Sequence, residues 1–241
     1  MKKYLIAILL PAMALFTNSC EELDKITAGL TNEEIIEGLK SALTVGSDTS
    51  VSTLNAVNGY LGDEAVKILL PPEAAKLVDN ISKVPGLDLL VNEAVTSINR
   101  AAEDAAIEAK PIFVDAITNI TITDGLSILN GADDAATAYL SANTSTQLTT
   151  AFSPKISTSL NKKIVGNVSA ESAYSSLINT YNQASLGGVL FAEIKTNTLA
   201  EHTTKKALDG LFLKVAGEES KIRNDVAHRV NDILQKVFGE Q

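Results

Sequence analysis

Cysteine occurs once, at Cys20, and tryptophan not at all. A single thiol excludes an intrachain disulfide, so packing, hydrogen bonding and charge must hold the fold together. Histidine occurs only at His202 and His228, which gives no Cys/His cluster with the spacing of a zinc site. Aromatic residues make up 5% of the chain, so the core has to be built from aliphatic and alanine side chains. Arginine is scarce as well: Arg100, Arg223 and Arg229 stand among 20 basic residues, and the others are lysines. Positive charge is in deficit, with 29 acidic residues and a formal net charge of −9. That balance sets nucleic acid aside as a partner, because its binding needs clustered Lys and Arg. After the first turns of the chain no stretch offers 18 consecutive apolar residues, so no membrane span is expected there. The Gly-x-Ser-x-Gly elbow and the His-Glu-x-x-His motif are both missing, and Gly187-Gly188 alone makes no phosphate-cradling loop. Asp133-Asp134 reads as helix N-terminal charge rather than a calcium loop.

What is present begins at the N-terminus. Met1-Lys2-Lys3 is a short basic segment, Tyr4 to Phe16 is apolar, and Thr17-Asn18-Ser19 precedes Cys20. The apolar run is shorter than the roughly 20 residues a spanning helix needs. The arrangement resembles a bacterial lipoprotein signal, with cleavage before Cys20 and lipid on its sulfur. A cleaved secretory peptide with an incidental cysteine is the alternative. The expected organisation is therefore a signal peptide over 1–19, the lipidated Cys20 and an acidic tether over 20–31, and a helical domain over 32–241. Processing would remove Lys2 and Lys3 and move the net charge from −9 to −11. Glu21-Glu22-Leu23-Asp24 resembles the acidic export signal of some surface-exposed lipoproteins, and is equally a solvated linker. The expected location is the cell envelope, on the outer membrane, on either its periplasmic or its surface-exposed side.

Helical punctuation follows. Thr31 with Glu34 makes a capping box, and Ile35, Ile36, Leu39 and Leu43 follow at helical spacing, with Gly46 as the expected stop. Further helices are expected over Val51–Tyr60, from Pro71-Pro72 to Val84, and over Leu87–Ala109, where Pro111 ends the element. The second half of that long helix is alanine-rich, which lets another helix approach closely. Shorter helices are expected over Ile112–Asn119, Asp124–Asn130 and Asp134–Ala142. A capping box at Thr144 to Gln147 opens another that contains Pro154, and Ser169 caps one through Tyr181. Leu186–Ile194 reads as irregular or a short strand, and Leu199–Asn224 and Val226–Phe238 close the chain. Strand-like alternation is nearly absent. The expected class is all-α: a single compact domain of about eight to ten helices.

Charge on apolar faces marks the candidate site. In Leu199–Asn224, the residues Ala207, Leu208, Leu211, Val215 and Ile222 share a face, with Glu218 in its middle and Glu219 at its edge. A buried carboxylate needs a partner, and arginine's flat, permanently charged fork suits it better than lysine. Arg100 and Arg223 are the expected partners. Asn92, Thr96, Asn99 and Glu103 border the apolar stripe of the long helix, so Arg100 and Glu103 belong to the same expected network. The network serves either as a polar pocket for a ligand or as an internal ion-pair set that fixes helix register. A metal or acid–base site on Glu103, Asp124 and Glu219 is a further alternative. His202 is expected on the solvated side of its helix. Gly210 and Gly217, seven apart, are expected at a close helix crossing.

A set of ordered motifs runs along the chain: Asn99-Arg100-Ala101-Ala102-Glu103, Lys110-Pro111-Ile112-Phe113, Thr121-Ile122-Thr123-Asp124, Ile128-Leu129-Asn130-Gly131, Ala136-Thr137-Ala138-Tyr139, Ala207-Leu208-Asp209-Gly210-Leu211-Phe212, Glu218-Glu219 and Ile222-Arg223. Over roughly residues 34–239 they resemble the DUF4197 family, helical envelope proteins often carrying lipoprotein signals. The resemblance implies a helical fold and draws attention to Asn99, Arg100, Glu103, Asp124, Thr137, Tyr139, Glu219 and Arg223. It implies no activity. The chain departs from the family pattern at Asn119, Val226 and Glu201-His202.

Taken together, these readings point to a membrane-anchored, non-enzymatic helical module that binds an envelope protein or a small ligand. No catalytic residue, metal or cofactor is expected. An envelope enzyme using the carboxylate and arginine cluster, or a carrier of an apolar ligand, stand as alternatives.

Overall fold

The computed structural model describes residues 31–74, 87–165, 167–184, 186, 188–190, 193–194 and 198–239. The signal segment, Cys20 and the acidic tether lie outside the described residues, as does most of the helix expected after Pro72. Among the described residues the fold is all-α. Eight α-helices are α1 (Asn32–Asn55), α2 (Leu87–Ala106), α3 (Ala109–Thr118), α4 (Ile122–Leu129), α5 (Ala135–Leu160), α6 (Ala170–Ala184), α7 (Leu199–Asn224) and α8 (Asp232–Gly239). A two-residue turn separates α2 from α3, and a 3-10 turn at Val226–His228 separates α7 from α8. A small antiparallel hairpin joins β1 (Lys163–Val165) to β2 (Val168–Ser169).

The N-terminal boundary of α1 forms as its sequence dictates. The Glu34 amide donates to Thr31 Oγ1 at 3.2 Å, and the Thr31 amide donates to Glu34 Oε2 at 2.8 Å. The helix does not stop at Gly46, however, and runs on to Asn55. Gly46 packs against α7 instead: a Cβ there would meet Glu218 Cβ at 3.4 Å. Its role is to let two backbones approach rather than to end a helix. The expected separate helix over Val51–Tyr60 is thus the last turn of α1 followed by a turn.

Two other boundaries differ from expectation for similar reasons. The long helix ends at Ala106, before Pro111 can act on it, and Pro111 sits in the first turn of α3. Amides of a first turn have no acceptor within the helix, so proline costs nothing there. Likewise α5 is one helix of 26 residues where two were expected. Leu140, Thr144, Leu148, Phe152, Ile156 and Leu160 are all buried at i, i+4 spacing, so one apolar stripe crosses the supposed boundary. Thr144 Oγ1 donates to Leu140 O at 2.6 Å within the helix rather than opening a new one.

The starts of α6 and α7 match the sequence reading, and α6 runs on past Tyr181 to Ala184. The Ser172 amide donates to Ser169 Oγ at 3.1 Å, and the Glu201 amide donates to Thr198 Oγ1 at 3.2 Å. The expected helix over Val226–Phe238 is broken, because Arg229 turns back to cap α7. Its guanidinium donates to Ile222 O at 3.2 Å and to Arg223 O at 2.8 Å. The hairpin falls at Lys163–Ser169 rather than within Leu186–Ile194, whose described residues form no strand.

Helix α7 is the central element, packed against α1, α2 and α5, with α8 closing on α1 and α3 on α1 and α5. Ala101, Ala102, Ala105 and Ala106 of α2 are all fully buried, as the alanine-rich half predicts. Gly210 meets Tyr60 and Val66 so closely that a Cβ would lie 3.0 Å from Tyr60 Cε1, whereas Gly217 has nothing within 4 Å. Only the first of the two glycines serves a close crossing. No single described helix is long and apolar enough to cross a membrane.

Candidate functional site

Helix α2 brings Asn99, Arg100 and Glu103 to the turn that follows α1. Glu103 is buried at the end of α2's polar stripe and would carry an unpaired charge but for its partners. Its Oε1 accepts the amides of Tyr60 and Leu61, each at 3.2 Å, and its Oε2 pairs with Arg100 Nη1. Arg100 Nη2 also donates to Asn58 Oδ1 at 2.8 Å, and Asn58 holds the left-handed conformation at φ 69°. Asn99, fully buried, accepts the Ile68 amide at 2.9 Å and donates to Ile68 O at 2.8 Å. The set clips residues 58–68 onto α2. Tyr60 is pinned further by its hydroxyl, which donates to Ala207 O of α7 at 2.8 Å. Burial, and then the Glu103 carboxylate, push that hydroxyl's pKa far above its ordinary value.

The second cluster joins α7 to the ends of two other helices. Glu219 accepts the Ala136 amide at 3.0 Å and the Thr137 amide and hydroxyl at 2.8 Å each. It thereby caps α5, whose own N-cap Asp134 makes no side-chain cap. Arg223, one turn on, donates to Glu219 Oε1 through Nε at 3.0 Å and Nη2 at 2.9 Å. The same guanidinium donates to Ile128 O at 2.9 Å and Leu129 O at 3.3 Å, closing the C-terminus of α4. The Phe238 ring stacks beneath it, 5.9 Å from ring centre to Cζ. A carboxylate at a helix N-terminus and a cation at a helix C-terminus both complement the helix dipoles. The cavity beside the pair is about 20 Å³, room for a single water at most.

The sequence reading placed Glu218 at the centre of the apolar face. It is Glu219 that is buried, while Glu218 is partly exposed and pairs with Lys221 at 2.6 Å. Of the two expected arginine partners, Arg223 serves Glu219 and Arg100 serves Glu103, so the single expected network is two separate ones. Asp124 belongs to neither: its carboxylate takes the Thr121 hydroxyl at 2.7 Å and amide at 3.2 Å, capping α4. Those bonds hold its carboxyl below the usual range, and Tyr139 is raised by burial and then by Asp124. Glu103, Asp124 and Glu219 therefore occupy three different sites. Among the described residues no group of three His, Cys, Asp or Glu side chains is placed to hold a metal.

Open space lies elsewhere, along α7. A groove of about 530 Å³ runs between the segment 65–72 and the α7 residues His202, Lys206, Asp209, Gly210 and Leu213. His202 is half-buried rather than solvated, its Nε2 3.0 Å from Leu69 O, and burial depresses its pKa. Leu69 and Leu213 stay 62% and 52% exposed, which leaves apolar surface uncovered in the groove. A second groove of about 340 Å³ adjoins it at Leu70 and is lined by Val91, Ala94, Tyr174, Leu177 and Leu199. On the neighbouring face of α7, a groove of about 320 Å³ shares Asp209 with the first and is lined by Ser145, Thr149, Ser153 and Lys205. Thr204, also on that groove, carries the one buried side-chain oxygen without a hydrogen-bond partner among the described residues. Sequence reasoning missed these grooves. The available signal was Leu213, an apolar residue off the buried stripe of α7.

A family model matches residues 29–239, a match that carries the motif residues of both clusters. The chain belongs to the family described as protein of unknown function (DUF4197). Comparison with curated proteins and with solved structures gives no match. Within this DUF4197 chain, then, the motif residues Asn99, Glu103, Thr137, Glu219 and Arg223 are engaged with one another or with backbone. The apolar-lined openings are formed by other residues.

Proposed function

We propose that this DUF4197 protein is a lipid-anchored, non-catalytic helical module of the cell envelope, tethered through Cys20, that binds a small ligand or a protein partner. The observation that carries the binding part of the reading is the α7 groove, where two exposed leucines line about 530 Å³ of open space. The buried charges favour binding over catalysis. Glu103, Glu219 and Arg223 spend their hydrogen-bonding capacity inside the fold, whereas a general acid or base needs an open face toward substrate. The anchor rests on the basic segment, the apolar run and Cys20 of the N-terminus.

The two halves have separate tests. In a bacterial host that processes lipoproteins, Cys20→Ala should release the protein from membranes and abolish acyl labelling. Unchanged membrane association would rule out the anchor. Native mass spectrometry of the mature chain from envelope extracts, together with cross-linking in intact cells, tests the binding half. A reproducible bound mass or a single cross-linked partner is expected, and a bare protein in both measurements would refute it.

A further inference from the structure

We propose that the two adjoining grooves form one site for a single-chain anionic amphiphile, of the fatty-acid carboxylate class. The inference rests on the binding reading above and names the chemistry of the ligand. Three features of the grooves support it.

The first is the distribution of charge. In a chain with a net charge of −9, the lining of the larger groove carries two lysines, Lys67 and Lys206, against one carboxylate, Asp209. Lys67 pairs with Glu64 at 2.9 Å and Lys206 with Asp209 at 3.1 Å, and both carboxylates are largely exposed. Ion pairs with one partner open to water hold weakly, so either ammonium group can turn to an incoming carboxylate at small cost.

The second is the uncovered apolar surface beside those lysines. Leu69, Leu70, Pro72 and Leu213 line the same groove as Lys67 and Lys206. A free inorganic anion would use the ammonium groups and leave the leucines wet. A purely apolar ligand would do the reverse.

The third is the way the two grooves join. Leu70 lines both, and among the described residues no charged side chain lines the second groove, whose polar-bearing residues are Ser176, Thr180 and Tyr174. A head group held at Lys206 can therefore send its chain past Leu70 toward Val91, Tyr174 and Leu177. Each methylene buried should tighten binding about fourfold, so chain length should set affinity.

The test uses the mature chain, residues 20–241 with Cys20→Ser, and the fluorescent fatty acid 11-(dansylamino)undecanoate. Saturable one-to-one binding with blue-shifted emission is expected, displaced by dodecanoate but not by dodecyltrimethylammonium. Lys206→Glu reverses the head-group charge at an exposed position and should weaken binding at least tenfold. Leu70→Gln, at the junction of the two grooves, should do the same through the tail. Lys162→Glu, distant on the hairpin side, should leave it unchanged, and circular dichroism verifies that all three variants are folded. Absence of saturable binding, equal displacement by the cationic amphiphile, or full binding by both groove variants would overturn the proposal. So would uptake of the probe only when phospholipid vesicles are present. If dodecanoate fails while envelope extracts still yield another bound mass or a cross-linked partner, the amphiphile is wrong and the binding module stands.

Discussion

Replacing Arg223 by methionine keeps an unbranched apolar stem and removes the guanidinium with its charge, its donors and its stacking on Phe238. In the folded protein Arg223 and Glu219 are each 7% exposed, so the change is made almost out of reach of water. Glu219 Oε1 loses two of the three donors it accepts from, and retains the Ala136 amide. The carbonyls of Ile128 and Leu129 lose the guanidinium that closes α4. Breaking a buried ion pair from one side costs about 3–5 kcal/mol, because the remaining charge stays buried. For a chain of this size each kcal/mol lowers the melting temperature by about 2–4 °C, giving an expected drop of about 6–20 °C. The assay is thermal unfolding followed by helical circular dichroism, run on Arg223→Met, Glu219→Gln and the double variant. The amide of Glu219→Gln keeps one acceptor oxygen for either the Ala136 or the Thr137 amide and leaves no charge to strand, so the double variant should lose less than the sum of the single losses. Coupling of at least about 1–2 kcal/mol is expected from a contact of this kind. A drop below about 2 °C for Arg223→Met, or strict additivity, would refute the account of the pair as the clamp between α4, α5 and α7.

Three further outcomes follow from the same physics. Arg100→Met should cost only about 1–2 kcal/mol, since Arg100 is 36% exposed and Glu103 keeps two backbone donors; limited proteolysis should then cut first within residues 56–68. Gly217→Ala should stabilise by about 0.5–1 kcal/mol, because the site is open and helical, while Gly210→Ala should destabilise against Tyr60 and Val66; denaturant midpoints of the two variants settle the sign. Stability should fall as pH drops below about 6.5, the unfolded value of histidine, because burial lowers the folded pKa of His202 and the unfolded chain then takes up the proton first. Lys205 and Lys206 on the same helix reinforce that direction, while Glu73 and the Leu69 carbonyl oppose it. His202→Gln should flatten stability over this pH range in urea titrations, whereas Asp63, held low by Lys214, produces its own loss only below about pH 4.

The helical class, the caps at Thr31 and Ser169 and the span of α7 were all legible, because each is written in residues adjacent in sequence. What misled was punctuation that tertiary contacts overrule. Gly46 reads as a stop until α7 is laid against it, and Thr144 reads as a cap until the stripe from Leu140 to Leu160 is seen to be buried along its whole length. Pro111 reads as a breaker, yet it stands where a helix begins and its missing donor is not needed. At the site, the type of interaction was legible and its partners only in part. Arginine scarcity together with a carboxylate on an apolar face led to Arg223. The neighbouring Glu218 was indistinguishable from Glu219 because helical phase resolves positions no better than one residue. The α7 groove was not legible, since one wall is the segment 65–72, whose position depends on Asn99 reaching Ile68 across 31 residues.

Those assignments bear on how charged residues in a helical bundle should be read. Glu219 lies at a helix N-terminus, Arg223 at a helix C-terminus and Glu103 on two amides of a turn; each meets backbone groups that no helix can satisfy by itself. Their placement answers a requirement of folding, and a binding site does not have to be invoked to explain it. Exposed Leu69 and Leu213 are different, because burying them would favour the folded chain and nothing in the described fold does so. The uncovered apolar groove, rather than the buried ion pairs, is therefore where a partner has free energy to gain. A substitution such as Lys206→Glu should accordingly alter binding while leaving stability nearly untouched, the reverse of what Arg223→Met should do.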